Sequence, residues 1–183
     1  MSIKIRKATL SDLDRIAEIE SICFPEAEAA TRNSIEKRIK AYKETFLVAE
    51  KDGRIIGFIN GCVTKQRKIT DDLYSSTALH DDSMPCQMVF GIDLIPEEQH
   101  KGYATMLMNE YIKRAKKSGK KLITLNCKEY LIGFYQKFGY KCEGVSASEH
   151  GGTRWYDMTL YLDESAEKRE TAENRAIDKS FDA

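Results

Sequence analysis

The sequence predicts an α/β layer domain built on a mixed sheet, and its longest patterned stretches carry that prediction. In FLVAEKDGRIIGFINGCV two β-rich runs flank Asp52-Gly53, with Gly53 supplying the positive φ of a tight hairpin turn. QMVFGIDLI (Gln87–Ile95) reads as a central strand ending at Pro96. Behind it Ala104, Leu107, Met108, Tyr111, Ile112 and Ala115 form a sustained helical stripe. KLITLNC reads as another buried strand, and YLIGFYQKFGY as a short helix ending at Gly139.

The remaining elements fill the order β-α-α-β-β-β-α-β-α-β-β. IKIRKA alternates like a half-buried strand. Ser11 is placed to cap a first helix, with Asp14 three positions on and Leu13, Ile16 and Ala17 on one face. CFPEAEAA breaks that helix at Pro25, and a second helix carries Ile35, Arg38, Ile39 and Tyr42 along one side. Residues 65–85 are polar and mixed, and read as a variable excursion. Gly119 stops the long helix, and two closing strands, around Lys141–Ala147 and Thr153–Leu162, are joined through His150-Gly151-Gly152. Residues 1–163 then form one domain, and 164–183 a charged tail, partly helical or disordered.

A chain of 183 residues is long enough for one full-sized core. Its 29 basic and 29 acidic residues balance, which argues against nucleic acid as a main partner. No apolar run reaches the length of a membrane span and no signal peptide is seen, so no membrane partner is expected. Five cysteines (Cys23, Cys62, Cys86, Cys127, Cys142) are scattered in apolar segments, the pattern of reduced core thiols in a cytoplasmic protein. Three widely spaced histidines (His80, His100, His150) speak against a metal site.

The stretch from Gln99 to Thr105 is unusual for a helix start. It offers Gln99-His100-Lys101-Gly102-Tyr103-Ala104 where a Ser, Thr or Asp cap is expected. Gly102 and Ala104 keep bulk away from open backbone amides, and His100 and Lys101 add positive character, a combination suited to a phosphate or pyrophosphate. A glycine at a strand-to-helix turn is also commonly just a turn. The spacing of a P-loop and that of a dinucleotide-binding fingerprint are both absent.

In its ordered motifs the chain resembles the GNAT superfamily of N-acetyltransferases. VFGIDLIPEEQHKGYATMLM is similar to that superfamily's acyl-CoA signature, Arg/Gln-x-x-Gly-x-Gly/Ala after a strand ending in apolar-x-Pro. The Asp-Gly hairpin and LNCKEYLIGFYQKFGYKCEG continue the resemblance, which runs from about Lys4 to Leu162. CFPEAEAA, Cys127 and HGGTRWYDM look like the arylalkylamine (serotonin-type) branch and its bacterial relatives.

The resemblance implies a mostly antiparallel central sheet flanked by helices, and acetyl-CoA as co-substrate with no metal. It implies that backbone amides of Ile92, Asp93 and Leu94 face the acetyl carbonyl and pantetheine arm. Gln99, His100, Lys101, Gly102, Tyr103, Ala104 and Thr105 would hold the pyrophosphate. Tyr135 would lie at the thioester sulfur as general acid. Where the vertebrate arylalkylamine enzymes carry two histidines, this chain has Met88 and Phe90, and where many members have an asparagine contacting pantetheine it has Lys128.

Acyl transfer to an alkylamine, whose pKa is about 10, needs proton removal, a polarised carbonyl and a thiolate that can leave. Glu28, His80, Asp71 and Asp72 are the candidate bases, beside direct loss of the proton to water. Phe24, Glu28 and Phe90 are the candidate substrate contacts, and Phe24, Tyr74, Phe90 and Trp155 are either pocket walls or core. Cys127 has no histidine neighbour in sequence, so direct transfer is favoured over a thioester relay. The expected function is acetylation of a primary amine on a small molecule. A protein or peptide acetyltransferase, which needs an open groove, and an acyl-CoA sensor without turnover stay open as alternatives.

Overall fold

The computed structural model describes residues 2–163, so the tail at 164–183 lies outside the described residues. Strand β1 (Ile3–Lys7) leads through a 3-10 turn into helices α1 (Leu13–Cys23) and α2 (Arg32–Ala41). The hairpin β2 (Phe46–Lys51) and β3 (Arg54–Asn60) follows, then a two-residue strand β4 (Val63–Thr64) and a short helix α3 (Asp71–Ser75). Strands β5 (Cys86–Val89) and β6 (Gly91–Leu94) precede the long helix α4 (Tyr103–Lys117). The chain closes with β7 (Leu122–Cys127), α5 (Ile132–Gln136), β8 (Lys141–Val145) and β9 (Tyr156–Tyr161).

The strands form two antiparallel-rich blocks, β1-β2-β3-β6 and β4-β5-β7-β9-β8, with β5 and β7 as the one parallel pair among the described strands. The predicted mixed, mostly antiparallel sheet flanked by helices is the observed architecture. The predicted hairpin is also present, with φ positive at both Asp52 (49°) and Gly53 (81°), the geometry that matches strand twist. On α4 Leu107, Met108, Tyr111 and Ala115 are buried, and Gly119 ends the helix in the left-handed region.

Several expectations need correction. Ser11 is not the cap of α1: Thr9 and Asp12 start that segment, the Asp12 carboxylate accepting from the Thr9 N–H at 2.8 Å. Cys142 is exposed and is not a core thiol, because β8 lies at the sheet edge with its whole length accessible. The excursion at 65–85 contains α3, a helix too short to show a periodic stripe.

The correction that matters most concerns the central strand, which breaks at Phe90. Its first half pairs with β7 and its second half with β3. β6 therefore has one partner, and its other edge is left open where β7 diverges. The break is anchored on both sides. Tyr111 donates to the Met88 carbonyl oxygen at 2.7 Å, and the Phe90 N–H donates to Asn60 O at 2.7 Å. A side chain at Gly61 would meet the Met88 carbonyl oxygen at 1.8 Å, so only glycine lets β3 run this close beneath the break.

Among the described residues no helix is long and apolar enough to cross a membrane, and no three His, Cys, Asp or Glu side chains gather as a metal-holding group.

Candidate functional site

The opening between β6 and β7 is the mouth of a cavity of about 270 Å³. Val89, Phe90, Gly91 and Ile92 form one side, and Leu125, Asn126 and Tyr135 the other. α1, the loop after it and α2 contribute Glu20, Phe24, Glu28 and Arg38, while α3 and the β8–β9 connection contribute Tyr74, His150 and Trp155. All four aromatic residues in question, Phe24, Tyr74, Phe90 and Trp155, therefore line the cavity.

The open edge of β6 can be read from its register. The Ile95 N–H donates to Ile56 O at 3.0 Å, and in an antiparallel pair alternate residues turn their backbone groups to the partner. Asp93 thus faces β3, while Ile92 and Leu94 face the free edge. The Leu94 carbonyl confirms this direction, since it accepts from Cys23 Sγ (3.2 Å) and Gln99 Nε2 (3.0 Å) rather than from a strand. Of the three expected amides, Ile92 and Leu94 are presented outward and Asp93 is not.

The helix start is as bare as the sequence implies. Gly102 occupies the cap position of α4 at φ 86° with no side-chain cap, and His100 also has positive φ, 59°. The first helical hydrogen bond comes from Met106 to Gly102 O, so the first-turn amides before it have no helical partner. A Cβ at Gly102 would meet nothing within 4 Å, which leaves room at the amides. Lys101 and Lys51 both reach Glu98, at 3.2 and 2.9 Å, so the local acid is neutralised. This row of N–H groups at a positive helix end fits a pyrophosphate, and the free β6 edge fits the amides of a pantetheine arm.

Glu28 lies in the cavity wall with its side chain 7% exposed. Lys128 Nζ donates to its Oε1 at 2.9 Å, whereas Oε2 is buried with no protein partner. The His150 ring nitrogen Nε2 lies 3.0 Å from the Glu28 carbonyl oxygen, and a side chain at Gly151 would meet Glu28 Cγ at 2.4 Å. The glycine after His150 thus permits the close approach that holds Glu28 in place. Lys128, a departure from the expected asparagine, also lies over the Trp155 ring at 5.7 Å.

Tyr135 is buried in the opposite wall, edge-on to Phe134 and Tyr140. Burial first, and the neighbouring Cys127 second, push its phenol well above the usual tyrosine range. It therefore keeps its proton at neutral pH and is a hydrogen-bond donor to negative charge that develops beside it. Cys127 does not line the cavity, and burial pushes its thiol up to about 12, so it is an unreactive structural thiol.

His80 is not brought to this cavity. Its Nδ1 accepts from the Val63 N–H at 3.0 Å, and burial lowers its pKa, so it is held neutral as a packing residue against Tyr42. Asp71 lines the cavity, but its carboxylate is engaged by the Ser148 hydroxyl at 2.6 Å and Glu149 N–H at 3.4 Å; Asp72 does not line it. Sequence reasoning missed Glu20, Arg38 and His150 as cavity residues. The apolar stripe of α2 made Arg38 visible on the inner face, and Gly151-Gly152 marked the approach at His150.

A model of the acetyltransferase (GNAT) family matches residues 13–140. No curated protein matches the chain. Among solved structures, the loading GNATL domain of CurA from Lyngbya majuscula is similar at a TM-score of 0.77 and 17% identity, covering 88% of this chain and 98% of that one. The PaiA N-acetyltransferase from Thermoplasma acidophilum, solved in complex with coenzyme A, gives 0.66 and 22%, with 88% and 100% covered. The ribosomal-protein-S18-alanine N-acetyltransferase from Escherichia coli gives 0.66 and 15%, with 88% and 95% covered. At these identities the likeness is one of fold.

Proposed function

We propose that this chain, which belongs to the acetyltransferase (GNAT) family, transfers acetyl from acetyl-CoA to a primary amine of a small molecule by direct attack. The observation that carries this reading is the break at Phe90, which leaves β6 amides unpaired at the mouth of a cavity lined by both Glu28 and Tyr135. The outward amides of Ile92 and Leu94 suit the acyl-pantetheine arm, and the bare turn from Gln99 to Thr105 suits the pyrophosphate.

In this reading Glu28 Oε2 accepts a proton from the incoming ammonium, and the freed nitrogen attacks the thioester carbonyl carbon. The Ile92 N–H stabilises the developing oxyanion. The carbon–sulfur bond then breaks as the Tyr135 phenol donates its proton to the departing sulfur and takes up the second proton of the attacking nitrogen in return. The amide product and CoA leave, Tyr135 is again a phenol, and Glu28 releases its proton to water. The five free thiols suit a reducing, cytoplasmic setting.

A small acceptor is favoured over a peptide by the roof of the cavity. α3, inside the excursion at 65–85, is tied to the β8–β9 connection by the Ser148–Asp71 bond and by Tyr74 stacking on His150 at 4.5 Å. A polypeptide would need an open groove along that line. The cavity is also at the small end of ligand sites, which run from about 300 Å³ upward. The likeness of some motifs to the arylalkylamine branch, together with Phe24, Phe90 and Trp155 in the walls, favours an apolar or aromatic amine. The test is N-acetyl product, identified by mass spectrometry, from acetyl-CoA and a panel of small amines and peptide N-termini. Product from small amines is the expected result.

A further inference from the structure

We propose that the acceptor is an amino acid, its amine received at Glu28 and its carboxylate held by Arg38. This rests on the acetyl-transfer reading above and narrows it. Arg38 is a buried residue of α2 that lines the cavity. Its Nη2 donates to Tyr74 O at 3.0 Å, and Nη1 reaches Asn60 Oδ1 at a long 3.4 Å. The guanidinium lies 4.9 Å from the centre of the Phe90 ring, at the strand break itself.

No carboxylate among the described residues comes within ion-pair distance of this cation, although ion pairs are common elsewhere on the chain. A buried guanidinium with no carboxylate in direct contact is costly, and its planar fork is shaped for one. The acids that share its field do not fill that role. Glu20 and Asp93 feel its charge, which opposes the upward push of burial on both carboxyls, but neither makes a direct ion pair with it, and Glu20 Oε1 accepts from the Ala30 N–H at 2.7 Å.

One turn earlier on the same face, Ser34 also lines the cavity. Its oxygen accepts from the Thr31 hydroxyl at 3.1 Å, so the Ser34 proton is not used in that bond. The cavity therefore has a donor pair at one wall and, at Glu28, a buried carboxylate oxygen with no partner at another. A molecule with an amine and a carboxylate satisfies both, and the aromatic walls take an apolar side chain.

The test uses matched acceptors differing only in the carboxylate: phenylalanine against phenethylamine, tryptophan against tryptamine and leucine against isoamylamine, each with acetyl-CoA. The wild-type chain is expected to favour each amino acid by tenfold or more in kcat/KM. Arg38→Gln should abolish that preference through a raised KM for the amino acid, leaving the KM for acetyl-CoA unchanged, and Arg38→Lys should keep part of it. Wild-type turnover of the plain amines equal to or above that of the amino acids overturns the proposal while the acetyl-transfer reading stands. Equal losses on both acceptors in a folded Arg38→Gln also overturn it. No turnover of either acceptor overturns both readings together.

Discussion

Lys128 Nζ lies 2.9 Å from Glu28 Oε1, and the second oxygen of that carboxylate is buried in the cavity wall without a partner. The lysine holds one oxygen of the acid and leaves the other open, the oxygen we propose as the proton acceptor. Replacing Glu28 by Gln keeps the shape and the Lys128 contact but removes the proton acceptor. We expect kcat/KM for the amine to fall by about 10²-fold, in the range usual for a lost general base, with the fold intact by circular dichroism. An unchanged rate would move the proton to water.

Tyr135 faces the same cavity from β7's side with its phenol held protonated by burial. Tyr135→Phe removes one oxygen from a wall otherwise unchanged. The expected result is a fall in kcat of about 10²-fold with little change in the KM for acetyl-CoA, since in the proposed mechanism the hydroxyl acts on the leaving sulfur. Steady-state kinetics with both substrates varied would separate that pattern from a binding defect.

The bare turn before α4 makes a separate forecast for affinity. Lys101→Glu reverses a charge beside the first-turn amides, so the KM for acetyl-CoA should rise about tenfold with kcat nearly constant, and the difference should shrink as salt is added. Gly102→Ala tests the backbone itself. At φ 86° an alanine is strained by about 1–2 kcal/mol, although no neighbour lies within 4 Å of its Cβ, so stability should drop measurably in urea.

Asp93 is buried, and burial first, then the nearby Glu20, raise its carboxyl well above the usual range. The folded chain therefore holds this proton while the unfolded chain releases it above a pH of about 4. The sign follows: stability from this group is fully present below that pH and is lost as pH rises towards the folded pKa. Asp93→Asn mimics the protonated acid. Urea midpoints should show the variant gaining on the wild type steadily from about pH 4 upward, and a wild type that gains on the variant as pH rises would contradict the assignment.

Much of the half that we assign to the cofactor could be picked out in the sequence because its signals are local. Gly102 without a side-chain cap, the stripe through Leu107, Met108 and Tyr111, and Tyr135 in its aromatic run each sit in one short window. The acceptor half was not, because Glu20, Glu28, Arg38, Tyr74 and His150 come from five segments that only the fold assembles. Of these, Glu28 was reached through the resemblance of CFPEAEAA, and Tyr74 was one of four aromatic residues read as either pocket wall or core. The break at Phe90 was hidden as well. QMVFGIDLI is a continuous strand by composition, and its change of partner depends on Asn60 and Tyr111 holding it from outside. His80 looked chemical only because its commitment to the Val63 N–H is a long-range contact.

The most direct test of acetyl transfer to a small amine is CoA release from acetyl-CoA across small primary amines and peptide N-termini, with the N-acetyl product identified by mass. We expect turnover on small amines and little on peptides. Turnover confined to peptides, or none at all while calorimetry still shows acetyl-CoA binding, would contradict it.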